Sequence, residues 1–371
     1  MEGKIYFDRI RKTRELMAKA GIDVFLVSPS SNLFYLGAYG VKADERLLVL
    51  ALPLEAEPFV LGNLLYKEQL KTMPFGDFVY WKDGEDAFSL LKSEIEKRKI
   101  PAGKIALEPQ LPALFSLPIA KSFPGAQFVL GSPLTDPLRQ VKDEKELELI
   151  RRASRIFDQA LAALIERGNY WIGKTETAFM DELFAELRRG GIESPGAAVA
   201  VGANAAVPHH VTGNTLIESG KCLLIDFWGR LEGYCTDCTR TFHFGKPDSE
   251  FEKIYAIVLE AHLAAEAAAR PGYTLGDVDR AARKVIEKYG YGEYFTHRTG
   301  HGIGIDIHEG DPVNDGVETP IVPGMVFSIE PGIYFPGRFG VRIENIVITG
   351  EKGAEPLHAY PRELKVIGAG L

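Results

Sequence analysis

Cysteine is scarce in this chain: three residues in 371, at Cys222, Cys235 and Cys238. An odd and sparse set builds no disulfide framework and suits a reducing, cytoplasmic setting. Long apolar runs are missing too. No stretch approaches the roughly 18 uncharged apolar residues of a membrane span. The segment 1–12 lacks the apolar core and cleavage site of a secretory signal. Positive charge is not in excess either. Lys and Arg number 43 against 51 Asp and Glu, a net charge of −8, which argues against nucleic acid as the main partner because phosphate binding needs a basic face. Neither a Gly-Lys-Ser/Thr phosphate loop nor a Gly-x-Ser-x-Gly elbow occurs, so phosphate cradling and serine nucleophile chemistry drop away. Cys235-Thr-Asp-Cys238 has the spacing of a zinc or redox motif. Strand alternation, however, sends its thiols to opposite faces, and no second pair completes a site. The glycines of Gly300-His-Gly302-Ile-Gly304 are one residue too closely spaced for a dinucleotide loop.

What is present reads as a globular chain of about two domains, 46% hydrophobic and 25% charged. Residues 1–135 have an α/β pattern. An amphipathic helix through Phe7, Ile10, Leu16 and Met17 stops at Gly21. Strands are predicted at 23–27, 47–52, 59–61 and 104–107, and a helix across 87–98. The stretch 131–137, Gly-Ser-Pro-Leu-Thr-Asp-Pro, is dense in turn residues and reads as a linker. Residues 136–371 form the second domain. Asp143 with Glu146 opens a long helix, Thr175 a second, Ser249 with Glu252 a third and Thr274 with Asp277 a fourth. Two helices precede each of two acid-bearing hairpins, which predicts two similar halves closing around one site.

Those hairpins carry the chemistry. A turn between Leu231 and Glu232 would set Asp226 directly opposite Asp237, with Cβ atoms within about 5.5 Å. A turn at Gly337 would do the same for Glu330 and Glu344. Like charges so placed destabilise a hairpin unless a cation lies between them. With the glycine-flanked His301, four carboxylates and one imidazole make a box for metal. The oxygen-rich set favours Mn²⁺ or Co²⁺, and Zn²⁺ also fits.

These residues resemble a known family, the pita-bread metallopeptidases of the Xaa-Pro dipeptidase (prolidase) and Xaa-Pro aminopeptidase branch. The similar segments are Val201-Gly-Ala-Asn-Ala-Ala-Val-Pro-His209-His210, Ile225-Asp-Phe, Gly233-Tyr-Cys-Thr-Asp237-Cys-Thr-Arg-Thr, His297-Arg-Thr-Gly-His301-Gly-Ile-Gly, Ile307-His308-Glu309, Pro323-Gly-Met-Val-Phe-Ser-Ile-Glu330-Pro-Gly-Ile-Tyr and Gly340-Val-Arg342-Ile-Glu344. They span essentially residues 140–365. Residues 1–135 resemble the creatinase-like domain that precedes the catalytic domain in this branch. The resemblance implies an α+β protein with a pita-bread catalytic domain. It implies two divalent ions per chain, held by Asp226, Asp237, His301, Glu330 and Glu344, with two of the carboxylates bridging.

Glu330 would also relay the proton from water to the leaving nitrogen. By position, His209 lines the proline-side pocket, while His297 and His308 orient substrate and donate to the developing oxyanion. Arg342 either contacts substrate or steadies the acids, and Arg298 is the candidate cation for a substrate carboxylate. His210 and His243 are read as solvent-facing or packing residues. The implied substrates are short proline-containing peptides, with Xaa-Pro dipeptides ahead of longer peptides trimmed by an aminopeptidase. A metal-free amidinohydrolase and a non-catalytic scaffold on the same fold rank behind both. Relatives are commonly dimers, so a homodimer is expected, in which Phe34, Tyr35, Tyr39 and Trp81 would contribute to a neighbour's pocket.

Overall fold

A computed structural model describes residues 3–40 and 44–368. The chain divides into two compact units, residues 1–139 and 140–371, four residues beyond the expected boundary. The difference lies in the stretch read as a linker, which is a helix, Ser132–Gln140. Pro133 falls in its first turn, where no N–H needs an intrahelical partner, and the Gly131 carbonyl accepts from Leu134 N–H at 2.9 Å. Turn-rich composition misled because proline is as much at home in a first helical turn as in a loop.

The first unit is a mixed six-stranded sheet, ordered Phe78–Trp81, Phe59–Asn63, Val49–Pro53, Val24–Val27, Lys104–Leu107 and Gln127–Leu130. Its three central strands are buried along most of their length and read as continuous apolar runs, as strands covered on both faces should. The outer strands Phe78–Trp81 and Gln127–Leu130 were not predicted. They are only partly buried and carry no strong periodicity. Tyr35, Tyr39 and Trp81 are buried in this unit. Trp81 donates its indole N–H to the Leu47 carbonyl, and Tyr35 lies 4.1 Å from the Arg9 guanidinium. These three rings are therefore committed to their own unit, contrary to the expectation that they serve a neighbour.

The second unit has two apolar cores. One joins the helices Glu144–Ile165 and Glu176–Arg189 to the strands Glu193–Val201, Cys222–Leu231 and Tyr234–Phe244. The other joins Ser249–Ala268 and Leu275–Lys288 to the strands around Val326–Ile329 and Asn345–Thr349. Asp143 and Thr274 form full capping boxes, as their spacing predicts. The third helix is capped one residue earlier than expected, by Asp248, which accepts from Phe251 N–H.

The two halves share a local device. Thr175 caps its helix and bridges Leu216; Thr274 caps its helix and bridges Pro320. Glu176 N–H donates to Thr215 O and Leu275 N–H to Thr319 O, at 3.0 and 3.1 Å. One step further, Thr177 N–H meets Gly213 O and Gly276 N–H meets Val317 O.

Candidate metal centre

The first acid hairpin departs from its predicted register. Leu231 pairs with Tyr234, leaving Glu232 and Gly233 as a two-residue turn with φ of 50° and 90°. Both left-handed values are what the tight hairpin turn compatible with strand twist requires. The turn is centred one residue later than expected, so Asp226 pairs with Thr239 and Asp237 with Trp228. The aspartates are diagonal neighbours on one face rather than directly opposite.

The second hairpin keeps the predicted register but not an unbroken ladder. Ile329 pairs with Asn345 and Gly332 with Arg342, which places Glu330 across from Glu344 in the gap between two short ladders. Pro331, lacking an N–H, interrupts the pairing there. Both freed backbone donors find partners elsewhere: Glu330 N–H donates to Thr299 O at 2.7 Å and Glu344 N–H to Thr239 O at 3.0 Å.

All five expected ligands line one cavity of about 560 Å³. Ligand atoms of Asp237, His301 and Glu344 lie within 4.8 Å of one another, and all three side chains are buried. His301 Nδ1 faces the Gly302 carbonyl at 3.1 Å, which leaves Nε2 toward the acids, 3.4 Å from Glu330 Oε1. Glu330 accepts from Ser328 Oγ at 3.1 Å, and Glu344 accepts from Thr239 Oγ1 at 2.7 Å. Asp226 stands slightly apart, accepting from Arg342 Nη2 at 2.7 Å.

Asp237 Oδ1 and Glu344 Oε1 are buried without a hydrogen-bond partner. Burial, and then the negative charge of Glu344, pushes the Asp237 carboxyl well above its usual range; burial and Glu330 do the same to Glu344. Burial also raises Glu330, with Asp226 adding to the effect. Burial and the adjacent His308 hold the His301 imidazole down to about 3, so it is neutral and available as a donor. Orphaned acid oxygens beside a neutral imidazole fit divalent cations.

The outer residues sort by their partners. His209 and His308 line the cavity, and the His308 ring meets the His301 ring at 4.1 Å. His297 also lines it, but both its ring nitrogens are engaged: Nδ1 with the Arg298 carbonyl at 2.7 Å and Nε2 with Tyr334 Oη at 2.8 Å. Burial holds His297 down to about 4. Its neutral ring therefore donates from Nδ1 and accepts the tyrosine hydroxyl at Nε2. Arg342 donates to Asp226, Tyr334 Oη and Thr239 Oγ1, so of its two expected roles the structure supports steadying the acids. Arg298 lines the cavity with no hydrogen bond or ion pair of its side chain among the described residues.

Sequence reasoning missed Ser328 and Thr239, whose hydroxyls bond ligands, and Tyr334, whose hydroxyl joins His297 to Arg342. Their position two or four residues from a ligand, on the same strand face, was the available signal. It also missed Trp228, which lines the cavity. His243 packs on Phe251 and bonds the Gly245 carbonyl, as expected of a packing residue. Cys235 faces the Ile305 carbonyl and Cys238 lies in the apolar core. The glycines around His301 answer to packing. A Cβ on Gly300 would sit 2.0 Å from Ser328 O, and one on Gly304 2.2 Å from Glu309 Oε1.

Comparison with known proteins agrees with this geometry. Residues 9–141 match the creatinase/prolidase N-terminal domain, and residues 148–351 match metallopeptidase family M24. The chain is 35% identical over 373 residues to "Probable dipeptidase PepE" of Mycobacterium bovis, covering 99% of this chain and 98% of that protein. Among solved structures it is similar to dipeptidase PepE from Mycobacterium ulcerans, with a TM-score of 0.93, 33% identity and 99% of both chains covered. It is also similar to a prolidase from Thermococcus sibiricus, with a TM-score of 0.91, 35% identity and coverage of 98% and 99%. An acid box with orphaned oxygens, a neutral histidine and matches to both domains identify one kind of molecule: the chain belongs to metallopeptidase family M24, and it is a metal-dependent hydrolase with a creatinase-type N-terminal domain.

Proposed function

We propose that the protein is an Xaa-Pro dipeptidase that holds two divalent cations between Asp226, Asp237, His301, Glu330 and Glu344. When bound, such a pair lowers the pKa of water and polarises the scissile carbonyl. Manganese or cobalt suits the oxygen-rich donors, with zinc also compatible. In this reading Glu330, beside His301, would take a proton from the attacking water and pass it to the leaving nitrogen. His308 is the outer histidine best placed to donate to the developing oxyanion. His297 positions Tyr334 and, through it, Arg342. His209 flanks the proline side. A Xaa-Pro bond has no amide N–H, so a site gripping the carbonyl and the ring loses nothing at that atom.

The observation that carries the dipeptidase reading is Arg298. It is a cavity-lining cation without a side-chain partner among the described residues, whereas Arg342 is bound to Asp226. A free guanidinium beside the proline pocket suits the carboxylate that ends a two-residue substrate. The remaining parts of the reading, a homodimer and a cytoplasmic setting, rest on the resemblance and the sparse cysteines. No helix of the described residues is long and apolar enough to cross a membrane.

The test is hydrolysis of a Xaa-Pro dipeptide against a Xaa-Pro-Xaa tripeptide with Mn²⁺ present. The dipeptide should have the higher kcat/KM, and Arg298→Ala should lower it by about tenfold to a hundredfold through KM. A preference for the tripeptide, unaltered by that substitution, would establish an aminopeptidase instead.

A further inference from the structure

Glu176, the first residue of the Glu176–Arg189 helix, is fully buried and is not a metal ligand. Its carboxylate accepts four hydrogen bonds. Oε1 takes Val201 N–H and Asn204 Nδ2 at 2.8 Å each, and Oε2 takes Gly213 N–H and His210 Nε2 at 3.0 Å each. All four donors lie in residues 201–213, the segment that brings Pro208 and His209 to the cavity wall. His210, read from sequence as a solvent or packing residue, is thus the companion of this buried acid.

The other half of the unit shows what else can occupy this position. The equivalent position, after the capping Thr274 and with the same bond to a returning strand, is Leu275, itself 1% exposed. By these bonds Gly213 corresponds to Val317, and the segment leading to Val317 also reaches the cavity wall, with Ile307, His308, Pro312 and Asn314. The same helix start is thus satisfied by an apolar side chain in the other half, without a buried acid. Burying a carboxylate in its place is costly unless every oxygen is paired, and here both oxygens are paired with donors of the loop that carries His209.

We propose that Glu176 is a positioning residue for substrate recognition: it clamps residues 201–213 so that His209 stands at a fixed place in the pocket. The inference rests on the reading that His209 meets the substrate. A side chain displaced by about an ångström from its working geometry can cost on the order of a hundredfold in kcat/KM, so the clamp is visible in kinetics.

The experiment is a mutant cycle on the metal-loaded full chain, pairing Glu176→Leu and Glu176→Gln with His209→Ala. Glu176→Leu installs what the other half already uses, and Glu176→Gln keeps one acceptor oxygen should the leucine variant fold poorly. Expected are unchanged bound metal and a KM for Xaa-Pro dipeptide raised roughly tenfold by Leu and less by Gln, with a smaller change in kcat. In the His209→Ala background the same substitutions should add less than about twofold, because coupled residues are not additive. Equal losses in both backgrounds, or no loss in either, would overturn the proposal. If the wild-type chain cleaves no Xaa-Pro dipeptide, the functional reading fails separately. The clamp is then read by amide hydrogen exchange, where faster exchange confined to 201–213 in the variants supports it and unchanged exchange refutes it.

Discussion

The two halves of residues 140–371 begin alike and finish differently. In each, the second helix is threonine-capped and bridged to a returning segment, and each contributes two acids from a hairpin. In the first half the acids stand within an unbroken ladder. In the second half the ladder is cut at Pro331, and the freed backbone groups of Glu330 and Glu344 reach Thr299 and Thr239. Of these two bonds the one from Glu344 crosses to the first half, where it joins those of Arg240 and Thr241 to the same strand region. Glu344 lies against Thr239 by both its backbone and its carboxylate, so the second half's ligand is held by the strand that carries the first half's ligand Asp237. An internal repeat thus yields an asymmetric site because one proline breaks one of its two hairpins.

If the halves converge on shared cations, a ligand lost from either should be equally damaging. Asp237→Asn and Glu344→Gln should each cut kcat/KM by more than the tenfold to hundredfold typical of outer-shell changes and reduce bound metal in elemental analysis. A fully active Glu344→Gln with two ions bound would break the equivalence.

The pH dependence of stability sharpens the same point. Asp237, Glu330 and Glu344 have carboxyls raised in the folded state by burial and mutual charge. A raised acid contributes stability that is full below its ordinary pKa, near 4, and is lost as pH rises through the folded value. The metal-free chain should therefore melt at lower temperature at pH 8 than at pH 5. Mn²⁺ should raise the melting temperature more at pH 8, measured by thermal scans with and without the ion. A metal-induced shift that does not grow with pH would contradict the unpaired-acid picture.

The smallest expected effect concerns the helix starts. Thr274 has a reciprocal capping box with Asp277, whereas Thr175 caps alone. Each Thr→Ala change should cost about 1 kcal/mol, with Thr274→Ala the larger by denaturant titration. Reversal of that order would show that tertiary packing, not the cap, fixes these helices.

Much of this was legible before any coordinates. The long helices and their caps follow from periodicity and side-chain chemistry that act within four residues. The acids and His301 stand out because charge in strand-rich, glycine-flanked segments demands a partner. The linker reading failed because Ser-Pro carries the same local signal in a turn and in a first helical turn, and because Pro137 sits inside the helix where proline is ordinarily disfavoured. The hairpin register failed by one residue, because where a two-residue turn settles depends on which residues tolerate left-handed backbone, and Glu232 does so here beside Gly233.

The sequence by itself determined the chemistry on offer: four acids, a histidine, their strand-like settings, and the expectation that a cation reconciles them. Only the tertiary structure decided which oxygens remain without partners, that the Arg298 side chain has no hydrogen bond or ion pair among the described residues, and that Glu176 bonds Val201, Asn204, His210 and Gly213 around His209. Those outcomes depend on contacts between residues tens to more than a hundred positions apart. Local propensity reaches only a few residues along the chain, whereas burial and pairing are settled by everything that folds around a group.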